Sequence, residues 1–392
     1  MSATSASSSI FGIDIKGFFS NLDRMLLIVV TCLVTFGLIA VYSASLTIEE
    51  ASFSRQLLGV ALGGILAVIL ASFDYRLLEP YAIAFFVIDC VLILLPLVPG
   101  LSYSANGITG WVRVPLVGLT FQTSELAKLV TIILMSSLAA RYKGRIPSLG
   151  EYIKLCVMLS VPFLLIFLQP DLGTGLVFFV SGAAVIILAG PKRSWVIVTI
   201  VLVVILVALI IGTDQFIDAR WGDSRSLIKD YQINRLMVFL DPDSDTTGSG
   251  YNIKQAMIAV GSGGFLGKGI GNASQAVGGF LPAAHTDFIF ALISEEFGFV
   301  GAMLLILLFT WLIFSALRIA RHCDNLFGKL LVGGIVVMWT FQTFENIGMC
   351  LSLMPITGIP LPFISFGSSS MIAQMLFVGL VQSVAVHRTK VT

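Results

Sequence analysis

His285-Thr286-Asp287-Phe288 sets a carboxylate between a long polar segment and a strongly apolar one. A partly desolvated aspartate at such a boundary can be tuned as a general base. The same position suits a helix N-cap, with the side chain accepting from first-turn amides. Both readings stand on the residues alone. Glu125 and Lys128 are three apart, so on a helix they share a face and can pair. Within an apolar run, such a pair is either a buried structural tie or the polar wall of a substrate cavity. Glu295 and Glu296 follow Asp287 by eight and nine residues, about 12 Å further along a helix. They are too far from it for a close carboxylate pair and are read as structural partners of a cation. Glu345 and Asn346 are read as interhelical contacts. Asp89, isolated in an apolar run, carries no reading of its own.

The run Gly261-Ser262-Gly263-Gly264-Phe265-Leu266-Gly267-Lys268-Gly269 invites a phosphate loop. It fails the Walker pattern, because Ser262 stands where the first Gly belongs and Gly269 where Ser or Thr belongs. What survives is an amide-rich loop carrying Lys268, able to hold a pyrophosphate through backbone donors. Turns and tight packing are the plainer reading. The five cysteines show no zinc or redox spacing and are read as small packed hydrophobes.

The elements that must position these residues are apolar. Of 392 residues, 57% are hydrophobic and 11% charged, with a net charge of +1. A soluble protein of this size carries about 25% charged residues. The composition excludes a disordered chain and a nucleic-acid binder that works through bulk basic charge. It points to an all-α polytopic membrane protein. Ten apolar stretches are legible, at 25–46, 56–73, 80–99, 122–140, 151–168, 172–190, 194–212, 286–317, 328–353 and 362–386. Gln169-Pro170-Asp171 is the turn signal that divides the fifth from the sixth. The run from Met25 to Val41 exceeds a signal h-region, so the first span is expected to be retained. Placing both termini in the cytoplasm puts 14 of the 23 Lys and Arg inside and only Arg55 and Arg113 in short outer loops. The organisation expected is a cytoplasmic tail over 1–24 and one ten-span domain over 25–392. Its long extracellular loop, 213–285, lies between spans seven and eight. Within that loop, Ile253 to Val260 has the pattern of a surface-lying amphipathic helix. The Ser/Ala-rich start of the chain reads as a disordered tail.

Several stretches resemble the SEDS family of polytopic cell-wall polymerases, whose branches serve shape, elongation, division and sporulation. They are Gln122 with Ser124-Glu125 and Lys128, Gln169-Pro170-Asp171-Leu172-Gly173-Thr174, Gly250-Tyr251-Asn252-Ile253 and Gly261-Ser262-Gly263-Gly264. Further on come Leu281-Pro282 with His285-Thr286-Asp287-Phe288-Ile289-Phe290, Glu295-Glu296-Phe297-Gly298 and Asn346-Ile347-Gly348-Met349. The last is Pro355-Ile356-Thr357-Gly358-Ile359-Pro360-Leu361-Pro362-Phe363. The elongation branch, RodA-like, is the nearer match and the division branch, FtsW-like, its close relative. The resemblance implies a peptidoglycan glycosyltransferase of the bacterial cytoplasmic membrane. It would polymerise lipid II at the outer face and work with a class B penicillin-binding protein, a transpeptidase, without nucleic acid.

The family's essential aspartate carries onto Asp287, its Glu-x-x-Lys pair onto Glu125 and Lys128, and its outer-loop Trp onto Trp111. Asp171, His285 and Thr286 stand in matching motifs and join these as candidate substrate contacts. Arg113, Lys268, Lys128, Arg220 and Arg235 are the candidate cations for pyrophosphate. The role expected for Asp287 is that of base, with a divalent cation, magnesium or manganese, bridging it to phosphate as the alternative. The sequence departs from the pattern at several places. Thr109-Gly110 precede Trp111 where Arg is usual, Thr123 replaces a Pro, Ala283 replaces a Glu, and Ser365-Phe366-Gly367-Ser368 replaces Ser-Tyr-Gly-Gly. Two rival functions remain at this stage: a lipid II flippase, which would gather its special residues near the midplane, and a scaffold that recruits the transpeptidase.

Overall fold

The computed structural model describes residues 9–10, 13–14, 18, 20–105, 108–113, 120–167, 169, 171–221, 237–239, 241, 245 and 248–388. Helices occupy each of the ten apolar stretches. In chain order the helices of the body are α1 (Arg24–Ser45), α2 (Phe53–Ser72), α3 (Ala82–Leu94), α4 (Thr123–Ala140), α5 (Leu149–Phe167), α6 (Leu172–Leu188) and α7 (Arg193–Trp221). Then follow α8 (Ser249–Ser262), the short α9 (Ser274–Val277), α10 (Ile289–Arg321), α11 (Leu326–Cys350) and α12 (Ser368–Val386). Among the described residues, eight helical segments are long and apolar enough to cross a membrane, α3 counting with its flanking 3-10 turns as Tyr75–Leu97. The exceptions are α6 and the apolar part of α7, Arg193–Leu209, which are shorter. Because α7 runs to Trp221, the long loop starts later than the 213 read from hydropathy. Residues 1–8 of the Ser/Ala-rich start lie outside the described residues.

Contacts at the helix ends sort them into two faces. Asp23 caps α1 by accepting from Leu26 N at 2.9 Å, and its other oxygen pairs with Arg318 Nη2 of α10 at 2.5 Å. Gln382 near the end of α12 accepts from Asp23 N and donates to Asp23 O, both at 2.9 Å. The start of α1 and the ends of α10 and α12 therefore share one face, which also carries the Arg24, Arg76, Arg318 and Arg321 positions. Tyr75 N donates to Ser383 Oγ there at 3.1 Å. On the opposite face lie the start of α4, the start of α6 and the loop between α11 and α12. Gln122 N reaches Ser369 Oγ at 3.4 Å, and a Cβ at Gly173 would sit 2.5 Å from Thr357 O.

The core lies along α4, α11 and α12. Most residues of α4 are buried, which suits its small and polar side chains, since packing rather than lipid surrounds it. By contrast α7 exposes Ile197, Leu202, Val204 and Leu206 along its length, the pattern of a helix bathed in lipid. An antiparallel sheet that the hydropathy did not reveal joins α3 to α4: β1 (Ser102–Ala105), β2 (Ile108–Arg113) and β3 (Thr120–Gln122), in the order β1-β2-β3. Tyr103, Trp111 and Gln122 align across it. α10 is broken at Gly298, whose φ of 64° and ψ of −162° leave the helical region.

Candidate active site

Asp287 stands in the turn that leads into α10. Ala283 O accepts from Thr286 N at 3.1 Å and from Phe288 N at 3.2 Å, closing that turn. The N-cap of α10 is Phe288, with no side-chain capping bond. Its half-buried carboxylate lies beside Gly358 of the loop between α11 and α12, where a Cβ would come 3.4 Å from Asp287 Oδ2.

That loop is tied to the Asp287 turn by a ladder of polar bonds. Asn346 Nδ2 donates to Asp287 O at 2.8 Å and to Ile359 O at 2.9 Å. Ser365 Oγ donates to Thr286 O at 2.7 Å, and Phe366 N donates to His285 O at 2.9 Å. Gln56 of α2 completes it, donating to Ser365 O at 3.2 Å and accepting from Gly367 N at 2.9 Å. These bonds satisfy backbone groups that apolar surroundings would otherwise leave unpaired. His285 and Thr286 thus anchor the turn through their carbonyls. The His285 ring packs on Phe366 at 5.6 Å, and burial holds its pKa below the ordinary 6.5.

Glu125 and Lys128 form an ion pair, Nζ to Oε1 2.8 Å, with both side chains 2% exposed. Asp171, the N-cap of α6, accepts from Thr174 N at 2.9 Å and lies within electrostatic range of that pair. Gly173, two residues on, packs against Thr357 O. Through Thr357 and Gly358 the Glu125, Lys128 and Asp171 group joins the neighbourhood of Asp287. Trp111 and Arg113 stand on β2 at the same face, Arg113 exposed and 5.7 Å over the Tyr103 ring.

Lys268 is engaged within the protein. Its Nζ pairs with the fully buried Glu295 at 2.6 Å and donates to Ser262 and Ser274. The amides of its loop are also engaged. Lys268 N donates to Glu295 O at 3.0 Å and Gly269 N to Glu296 O at 2.9 Å, while Phe299 N and Val300 N donate back to Gly264 and Phe265. The glycine-rich run is spliced into the break of α10, replacing the helical bonds that Gly298 interrupts. Ser43 Oγ and Gly271 N both donate to Glu296 Oε1, fixing the same junction to α1. A Cβ at Gly267 would lie 2.1 Å from Glu296 O, so close packing is what these glycines provide. Arg235 and the side chain of Arg220 lie outside the described residues.

A cavity of about 700 Å³ opens at the opposite, basic face, lined by Leu66, Ile69, Leu77, Leu376 and His387. It gathers none of the candidate residues, so its size does not make it the site of the chemistry. Among the described residues no three His, Cys, Asp or Glu side chains come together to hold a metal.

Residues 23–390 match the family model of FtsW, RodA and SpoVE, described as cell cycle proteins. The chain belongs to that family. It is 36% identical over 371 residues to the peptidoglycan glycosyltransferase MrdB of Escherichia coli strain K12, covering 94% of each. To the stage V sporulation protein E of Bacillus subtilis it is 34% identical, covering 93% of this chain and 96% of the relative. Among solved structures, a chain from a peptidoglycan synthase complex that coordinates polymerization and crosslinking superimposes with a TM-score of 0.75. The two are 30% identical, and the match covers 94% of this chain and 99% of that one. The rod shape determining protein RodA of Thermus thermophilus gives a TM-score of 0.66 at 26% identity, over 94% and 98%. The FtsW, RodA and SpoVE match spans the Asp287 turn and its supporting loop in full.

Proposed function

We propose that the chain is a peptidoglycan glycosyltransferase that polymerises lipid II at the outer face of the bacterial cytoplasmic membrane, in the elongation branch of its family. The observation that carries this is the placement of Asp287. It is half-buried at the face opposite the basic one, in a turn held on several sides, where a lipid-anchored sugar can reach it. The chain crosses the membrane ten times with both termini in the cytoplasm, and its partner is a class B penicillin-binding protein.

In the reaction, an acceptor sugar hydroxyl attacks the anomeric carbon of a lipid-pyrophosphate donor. A C–O bond forms, the bond to pyrophosphate breaks, and Asp287 takes the hydroxyl proton. Trp111 and Arg113 on β2 offer a stacking face and an exposed cation for the sugar and the pyrophosphate. Glu125, Lys128 and Asp171 form a buried polar group behind Thr357 and Gly358. Lys268, held by Glu295, serves the scaffold rather than the substrate. Asp287 and pyrophosphate oxygens are a donor set that suits magnesium or manganese, which binds through one or two carboxylates plus phosphates. Such an ion would neutralise charge on the leaving group.

Purified protein with its transpeptidase partner, given lipid II, tests this. Glycan strands resolved on a gel, with and without chelator, are the expected product. Translocation of lipid II across vesicles without strands would favour the flippase reading, and neither activity would favour the scaffold.

A further inference from the structure

Glu345 is fully buried near the outer end of α11. One of its oxygens accepts from Thr357 Oγ1 at 2.5 Å, and the other has no partner among the described residues. Burying a carboxylate is costly, so its retention beside a candidate active site calls for a reason. Its neighbours supply one. Asn346, the next residue on the helix, holds Asp287 O and Ile359 O. Thr357 donates its hydroxyl to Glu345, and its carbonyl packs so close to Gly173 that a Cβ there would come 2.5 Å from it. Gly358, with a φ of 75°, lies next to Asp287, where a Cβ would come 3.4 Å from Oδ2, so the register at 357 sets where this stretch of loop passes the carboxylate.

We infer that Glu345 is a positioning residue for Asp287, acting through Thr357 to fix the 357–359 loop beside the turn that carries the catalytic carboxylate. Glu345 and Asn346 work as two adjacent prongs. One fixes the side chain of the loop at 357, and the other fixes the two backbones on either side. The inference rests on the assignment of Asp287 as base. A carboxylate displaced by about 1 Å costs roughly 100-fold in rate while leaving substrate binding intact.

The test is lipid II polymerisation by purified protein with its partner, using Glu345→Ala, Glu345→Gln and Thr357→Val, with Asp287→Ala as control. Glu345→Ala and Thr357→Val are expected to lower kcat by about 100-fold with KM little changed. Their combination should be no worse than either alone, because both break one link. Glu345→Gln keeps an acceptor oxygen and is expected to restore most of the rate. The acid limb of the pH–rate profile should shift in Thr357→Val, since the surroundings of Asp287 change. Should Glu345→Ala fold poorly, Thr357→Val alone carries the measurement. Full kcat in a folded Thr357→Val, multiplying losses in the double variant, or a proportional rise in KM would overturn the inference. Polymerisation by Asp287→Ala would instead overturn the base assignment, and the positioning role with it.

Discussion

Replacing Lys128 by Met is the sharpest perturbation of the fold that surrounds the site. The Glu125–Lys128 pair is 2.8 Å long with both side chains 2% exposed. At an effective dielectric of about 20 the attraction is about 6 kcal/mol, most of it offset by the cost of desolvating both ions. Removing one partner forfeits the attraction and keeps the desolvation of the other. Glu125 Oε2 has no hydrogen-bond partner among the described residues, so Glu125 has little else to compensate it. The expected loss is about 3–5 kcal/mol. Changing Glu125 to Gln in the same chain removes the stranded charge and should return stability to within about 1 kcal/mol of the starting protein. Equilibrium unfolding in mixed micelles, run as a double-mutant cycle, measures both values. A loss below about 1 kcal/mol for Lys128→Met, the value of an exposed pair, would refute the reasoning. So would a double variant no more stable than the single one.

Lys268→Ala should cost about 1–3 kcal/mol by depriving the buried Glu295 of a charged donor, with KM for lipid II unchanged. A KM increase in a stable protein would return Lys268 to the substrate, and unfolding plus steady-state kinetics decide between the two. His285 has a pKa lowered by burial. Its neutral form is favoured by folding, so its contribution to stability is complete above the unfolded value of about 6.5 and is lost as pH falls through the folded value. The melting temperature should therefore drop between pH 7 and pH 5, and His285→Gln should flatten that part of the curve.

Hydropathy and charge placement were enough to locate the helices that fill the ten apolar stretches, because lipid demands long apolar runs and Lys and Arg mark their ends. Gln169-Pro170-Asp171 was legible as a break for a local reason: Asp171 caps the next helix with its own side chain. The sheet at 102–122 was not legible. Its pairing of Tyr103, Trp111 and Gln122 is a contact between segments with no apolar alternation long enough to announce it. The splice at Gly298 escaped for a similar reason. A helix interrupted and completed by a loop about thirty residues earlier leaves no periodic trace.

Within the site, Glu125 and Lys128 could be paired from spacing, since i and i+3 share a helix face. The partner of Lys268 could not, because Glu295 lies on another element. Glu345 and Asn346 read as interhelical contacts, whereas they reach loop backbone and a loop hydroxyl. Asp287 was legible as a carboxylate at a boundary and by family resemblance. The loop that presents it was not, because its ties run between residues some eighty positions apart, as Ser365 to Thr286.

Asp287→Asn tests the central claim most directly. The change keeps the shape of the side chain and the backbone bond from Asn346 to residue 287, and removes its charge and its capacity to take a proton. Lipid II polymerisation by the folded variant with its transpeptidase partner should fall by at least about 100-fold, the lower range for loss of a general base. Strand synthesis at the rate of the unaltered protein would contradict the assignment of Asp287 as the base.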